Sequence, residues 1–304
     1  MQESRMQQHN KQRVQGKHGC GMFWIVLTAV LWSFLGLMSK YCLAAGMTPL
    51  ECALYRALFG CLAFFVHCAC AGLLRRPGWH ELLFMAFGMW GIGCYFALAQ
   101  MTIKLSGAAM DIILQYTAPF WVAIFAWRFF GERLSRAKLV SIGIASVGTF
   151  CVCCSGGSIP QGFSALGIAT GLASGLCYAT HYPFVRYWQG RYPSSVIFTW
   201  MLAGGVLLLL LLRPEIPDRP PFPLAVWAMS VSTGVLCTYL AFICYGLALQ
   251  RISLVQAVVT SELEPVLSML WVWLAFDESF GILGWLGSAC IVFSVFALSV
   301  ARSG

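Results

Sequence analysis

Long apolar runs separated by short polar or turn-forming breaks occupy almost the whole chain. Ten of them, at about 22–44, 49–73, 81–101, 106–130, 137–155, 163–187, 194–212, 224–248, 253–276 and 281–300, are near the ~20 residues that a helix needs to cross hydrocarbon. The breaks carry turn chemistry or charge: Gly46 to Pro49, Arg75-Arg76-Pro77-Gly78, Gly131 to Arg136, and Gly156-Gly157-Ser158-Ile159-Pro160. The longest connection, Arg213 to Pro223, is proline-rich and predicts a stiff surface loop. The first 21 residues are polar and basic and predict a disordered lead. The apolar run after them is too long for a signal-peptide core and lacks a small-residue cleavage site, so it predicts the first helix.

The few polar landmarks repeat. A shift of 146 positions (32 to 178) carries Trp32 and Lys40, eight apart, onto Tyr178 and Arg186, also eight apart. The same shift carries Pro119 and Glu132 onto Pro265 and Glu278, thirteen apart in both cases. Five spans per repeat is an odd number, so the halves must insert with opposite topology. The pattern predicts an all-α integral membrane protein of ten transmembrane helices in two inverted five-helix repeats, 22–155 and 163–300, with a substrate site between them.

Composition agrees with this class. The 304 residues are 60% hydrophobic and 10% charged, with mean hydropathy +0.78, where soluble domains carry roughly 25% charged residues. Hydrocarbon takes the place of the missing polar surface. The fourteen cysteines sit inside apolar runs, as do Cys151, Cys153 and Cys154, and read as small hydrophobes. No paired Cys-x-x-Cys motifs or His clusters at ligand spacing appear, so no metal or other cofactor is expected. With an inside amino terminus, the basic residues gather on the inner side, among them Lys17, Arg75, Arg76, Arg133, Arg136 and Arg251. The outer connections hold only Lys104, Arg213 and Arg219. That bias predicts a multi-pass cell-membrane protein with both termini cytoplasmic, and accounts for the +8 net charge without nucleic acid.

These residues resemble the EamA-type members of the drug/metabolite transporter superfamily over nearly the whole chain after residue 21. The resemblance is carried by Leu31-Trp32-Ser33 with Lys40, by Pro49 with Arg56, and by Ser106-Gly107-Ala108-Ala109 leading to Pro119 and Gly131-Glu132-Arg133-Leu134. In the second half it is carried by Ser253 and Leu263-Glu264-Pro265-Val266. Phe276-Asp277-Glu278-Ser279 departs from the family's second Gly-Glu pair. The resemblance implies ten helices and a central cavity open to one side at a time, in proteins that mostly export small metabolites.

Ionisable groups at membrane depth cost about 2.5–3.5 kcal/mol on insertion scales, so each needs a reason. Asp111, Gln115 and Pro119 share one helix face, either lining a cavity or, for Asp111, meeting Lys104 or water at a helix end. Glu262 and Glu264 are about 200° apart around a helix and cannot face one space. Helix polarity favours Glu264 as the inward residue, in a stripe with Thr260 and Ser268, so that Glu262 needs a partner such as Arg56 or a second helix. Glu262 remains the alternative cavity residue, and both are candidates for the substrate or proton pathway. Tyr178, His181 and Tyr182 lie within one turn, and His181 is a candidate proton carrier or a hydrogen-bonded packing residue. Trp32 is a wall residue, Trp90 and Tyr239 are mid-span aromatic candidates, and Tyr95 and Tyr245 read as interfacial belt. Lys40 and Arg186 read as snorkelling to the interface. Small-residue rows such as Gly88, Gly91 and Gly93 predict helix seams.

The function expected is secondary transport of a small metabolite, an amino acid or related polar or amphipathic solute, in the outward direction, by a monomer or homodimer. No Walker-type phosphate loop is present to couple ATP. Coupling to protons through a helix-nine Glu, Asp111 or His181 and facilitated exchange both remain open. The alternatives are a membrane redox enzyme using the cysteines and a non-transporting scaffold. The first lacks a clustered His/Asp catalytic set, and the second lacks an output domain.

Overall fold

A computed structural model describes residues 2–74, 77–106, 108–155, 164–212, 221–276 and 281–300. Asp277, Glu278, the whole Gly156–Pro160 connection and most of the Arg213–Pro223 connection therefore lie outside the described residues. Ten helices run through them, and no strand occurs among the described residues. They are α1 (Gln2–Ala44), α2 (Pro49–Cys70), α3 (Trp79–Ser106), α4 (Ala108–Gln115, then Ala118–Phe130) and α5 (Arg136–Ser155). The second five are α6 (Ala165–Trp188), α7 (Ser194–Leu211), α8 (Leu224–Leu249), α9 (Leu254–Ser261, then Leu263–Phe276) and α10 (Ile282–Val300). The backbone is helical from Gln2 rather than disordered up to residue 21. Gln, Lys, Arg and Met are good helix formers, and no proline interrupts them, so a helix seeded in the apolar run propagates backwards.

Eight of the ten helices are long and apolar enough to cross a membrane, and the two that fall short are α6 and α9. These two carry most of the polar side chains of the second repeat and lie among other helices. Every residue from Leu254 to Ser261 is buried. By contrast, α5 and α10 pack against each other and turn Val147, Phe150, Phe293 and Phe296 outward, as a lipid-facing surface requires.

The repeat extends to the irregularities of the helices. In α3 a π-helical turn occupies Met89–Cys94, and in α8 one occupies Val235–Leu240, the same shift of 146 (89 to 235). Each π-turn follows a glycine at a tight crossing. A methyl group on Gly88 would overlap the Met201 backbone, and one on Gly234 would overlap Phe59. The breaks in α4 and α9 also coincide under the shift, after Gln115 and after Ser261. Proline explains both: Pro119 and Pro265 have no N–H to give to the carbonyl four residues back, which belongs to Gln115 and Ser261 respectively.

Candidate functional site

Helices of both repeats enclose a cavity of about 660 Å³, a size common for small-molecule sites. Its walls reach the last turns at one end of the bundle, where Lys40, Ile103, Ile112 and Cys153 line it and Gly36, Lys40 and Ile112 are exposed. At this end α1 passes into α2 and α4 begins. Toward the opposite end the lining stops at Trp32 and Tyr245. Trp32 packs on Phe242 and Tyr245, and Tyr245 packs edge-on against the fully buried Tyr182. The Tyr182 hydroxyl donates to Ser261 Oγ at 3.2 Å, where α9 breaks. The cavity thus has a mouth and an aromatic floor.

Six of the residues expected from the sequence meet in this cavity: Trp32, Asp111, Gln115, Tyr178, His181 and Glu264. Asp111 is 6% exposed, and its Oδ1 has no hydrogen-bond partner among the described residues. Lys104 is exposed and makes no ion pair with it among the described residues. Glu264 opens the second segment of α9 and lines the cavity with Pro265 and Ser268. The expected stripe is shortened, because Thr260 lies on the other side of the break and is buried away from the cavity. His181 lines the cavity, but its Nε2 donates to Gly91 O at 2.7 Å. A carbonyl only accepts, so Nε2 carries hydrogen here. A π-turn leaves backbone carbonyls without their usual helical partner, and His181 satisfies one of them.

Three expected residues lie elsewhere. Trp90 is 43% exposed on the outer surface. Tyr239 pairs its hydroxyl with His67 Nδ1 at 2.8 Å in a shallow outer groove between α2 and α8. Glu262 is 1% exposed and sits behind the cavity wall, where Thr149 Oγ1 on α5 donates to its Oε2 at 2.6 Å. The second helix, not Arg56, is therefore its partner, and its Oε1 has none among the described residues.

Sequence reasoning passed over Arg56, Tyr95, Thr238 and Tyr245 as wall residues. Arg56 Nε donates to Thr238 Oγ1 at 3.0 Å, and the guanidinium lies over the Phe96 ring at 5.5 Å. Tyr95 lines the cavity together with Asp111, Arg56 and Glu264 and reaches the Gln115 side chain. Arg56 was detectable by its cost at membrane depth alone. The aromatic assignments inverted, with Tyr95 and Tyr245 inside and Trp90 and Tyr239 outside, because distance from a span end sets a side chain's depth and not the face it takes.

Lys40 lines the mouth instead of snorkelling to lipid, and Arg186 turns inward, its Nη1 3.5 Å from Ile252 O. All fourteen cysteines are free thiols. Cys151 and Cys154 do have Cys-x-x-Cys spacing, which the sequence reading missed, but no metal-binding group of three or more His, Cys, Asp or Glu forms among the described residues.

The chain resembles known transporters over nearly its whole length. It is 26% identical to an uncharacterised inner membrane transporter of Salmonella typhimurium over 290 residues, covering 92% of this chain and 95% of that protein. It is 26% identical to the pseudopaline exporter of Pseudomonas aeruginosa over 289 residues, covering 93% and 97%. A probable terminal-alkyne amino-acid exporter of Streptantibioticus cattleyicolor is 26% identical over 205 residues, covering 66% and 68%. A crystal structure that is 22% identical superposes with a TM-score of 0.78 over 92% of this chain and 96% of that one, a likeness of fold. The EamA-like transporter family matches residues 19–154 and, a second time, 165–300. With both halves of its cavity supplied by that duplicated unit, this multi-pass membrane protein belongs to the EamA-like transporter family of secondary transporters.

Proposed function

We propose that the protein exports a small zwitterionic or amphipathic metabolite, amino-acid-like in chemistry, by alternating access. One observation carries this reading: a cavity with a mouth at one end and an aromatic floor at the other presents charges of both signs beside apolar rings. Arg56, fixed by Thr238, suits a carboxylate, because a guanidinium donates in a planar fork. Asp111 and Glu264 suit an ammonium group. Trp32, Tyr178 and Phe242 suit an apolar body. Two of the related proteins are named as exporters, one a probable terminal-alkyne amino-acid exporter and one a pseudopaline exporter; the first supports the class of solute and both support the direction.

His181 serves in this reading as a wall residue tied to the α3 π-turn, and Glu264 or Asp111 is the site for any coupling proton. Glu262, Trp90 and Tyr239 stay outside the pathway. Both termini face the cytoplasm, so the mouth faces away from it. One chain completes the cavity, so a monomer is a sufficient working unit.

The test compares metabolites in cells overexpressing and lacking the protein, then measures uptake of the enriched solutes by reconstituted vesicles. Solutes bearing both a carboxylate and an amine should compete with one another. Competition by neither class of charged solute would overturn the reading. Tags at both termini should report the cytoplasm, and a tag between Gly156 and Ser164 the outside. Termini on opposite faces would overturn the topology.

A further inference from the structure

Below the aromatic floor, the closed end is held by a contact between the two repeats that the cavity does not involve. The second segment of α4 ends at Phe130, and Gly131 takes the left-handed conformation at φ 64°. Only glycine adopts that turn without strain. The Glu132 amide then donates back to Ala126 O at 3.0 Å, which fixes the direction in which Glu132 leaves the helix. Its carboxylate crosses to the other repeat. Oε1 accepts from the Leu254 amide, the first residue of α9, at 2.8 Å.

That amide is one of the N–H groups a helix start leaves without an internal partner, and a negative charge there also meets the positive end of the helix dipole. Ser253 already caps α9, its Oγ accepting from Gln256 N at 3.2 Å. The Glu132 contact is therefore additional to what the helix needs to start. The carboxylate is also held in place from both repeats. Lys138 Nζ stands 3.4 Å from Oε2, and Arg186 is close enough to couple with Glu132 while its Nη1 lies 3.5 Å from Ile252 O.

We propose that Glu132 is the latch of the closed end. It ties the end of one broken helix to the start of its repeat partner, and it must let go of the Leu254 amide before that end opens. It is a positioning residue, since it touches neither the cavity nor any solute. The proposal rests on the alternating-access reading above.

The test uses the full-length protein in vesicles, freed of its native cysteines. One reporter is Ser261→Cys, against the floor, and the other is Ile112→Cys, at the mouth. Each is labelled with a membrane-impermeant thiol reagent from either face. In the parent, the mouth reporter labels and the floor reporter does not. Glu132→Ala should raise labelling of the floor reporter from the closed face about tenfold or more, as loss of a hydrogen bond to a charged group implies, and lower labelling of the mouth reporter. Glu132→Gln keeps an acceptor oxygen and should fall between.

A second route removes the other partner. Leu254→Pro deletes the amide at the helix position where proline fits best, after Ser253, which is already extended at φ −71 and ψ 157. If the latch acts through that amide, adding Glu132→Ala to Leu254→Pro changes labelling no further. Unchanged labelling at both ends in folded Glu132→Ala, or a rise at both ends together, overturns the latch while leaving alternating access standing. A parent labelled from both faces at both positions overturns alternating access and the latch with it.

Discussion

In the first repeat α4 breaks after Gln115 and restarts at Ala118; in the second α9 breaks after Ser261, and the residue that corresponds to Ala118 is Glu264. The same contrast recurs elsewhere. Arg56 corresponds to Leu202, Asp111 to Ala257, and His181 to Leu35, although, the long start of α1 aside, the bounds of the surrounding helices match under the shift to within a few residues. The π-turns match without any likeness between Met-Trp-Gly-Ile-Gly-Cys and Val-Leu-Cys-Thr-Tyr-Leu. What the halves share is backbone irregularity, and what separates them is charge. An exchange of conformations between inverted halves needs the same hinges in both, whereas one asymmetric solute needs its charges placed only once. The polar residues even cross over: His181 of the second repeat serves the π-turn of the first, and Arg56 of the first serves the π-turn of the second.

The sharpest way to break this comparison is at the shared backbone. Gly88→Val and Gly234→Val should each remove folded protein, since a side chain there meets Met201 backbone or Phe59 and has no room to relax. A cost above about 4 kcal/mol is expected for such overpacking against backbone. Gly143→Val meets nothing within 4 Å and should leave the thermal melt unchanged. Equal tolerance of all three in a size-exclusion and melting assay would show that the seams are not tight.

Next come the unshared charges. Arg56→Gln and Glu264→Gln should each lower the transport rate about 10- to 150-fold, the worth of a hydrogen bond to a charged group, while expression and melting hold. Their repeat counterparts, Leu202→Met and Ala118→Ser, should change the rate only a few-fold. Similar losses at the charged and uncharged counterparts would erase the distinction between the halves.

The breaks should behave as a pair. Pro119→Ala and Pro265→Ala each restore one backbone hydrogen bond, worth about 1 kcal/mol, and so should slow the interchange of the two states about fivefold. The measurement is thiol labelling of Trp32→Cys and Tyr178→Cys from one face, whose rates should move in opposite senses when substrate is added. A large effect from one proline and none from the other would mean that only one hinge moves. The smallest effect is expected at Trp90→Leu, on the outer surface, where transport should stay within about twofold of the parent.

Much of this was legible from residue order. The repeat, the ten helices and the presence of Asp111, Gln115, Tyr178 and Glu264 in the cavity follow from spacing and from the expense of polar groups in hydrocarbon. Even the breaks in α4 and α9 were marked by Pro119 and Pro265, although the sequence reading carried each helix straight through. The distinction between Tyr95 and Trp90, and between Tyr245 and Tyr239, was not legible, because which face of an apolar helix meets the cavity depends on its neighbours and not on its own order of residues.

The sequence by itself determined that this chain lives in a bilayer as two inverted halves, because hydrophobic run length and the 146-residue echo are properties of a single strand of residues. The tertiary structure alone decided which polar groups share a space. Glu262 and Glu264 are two residues apart, yet one is bound to Thr149 behind the wall and the other lines the cavity, and Arg56 finds Thr238 182 positions further along the chain. Those pairings depend on how ten helices cross, and on where their regular winding fails, and neither is written in the local order of residues.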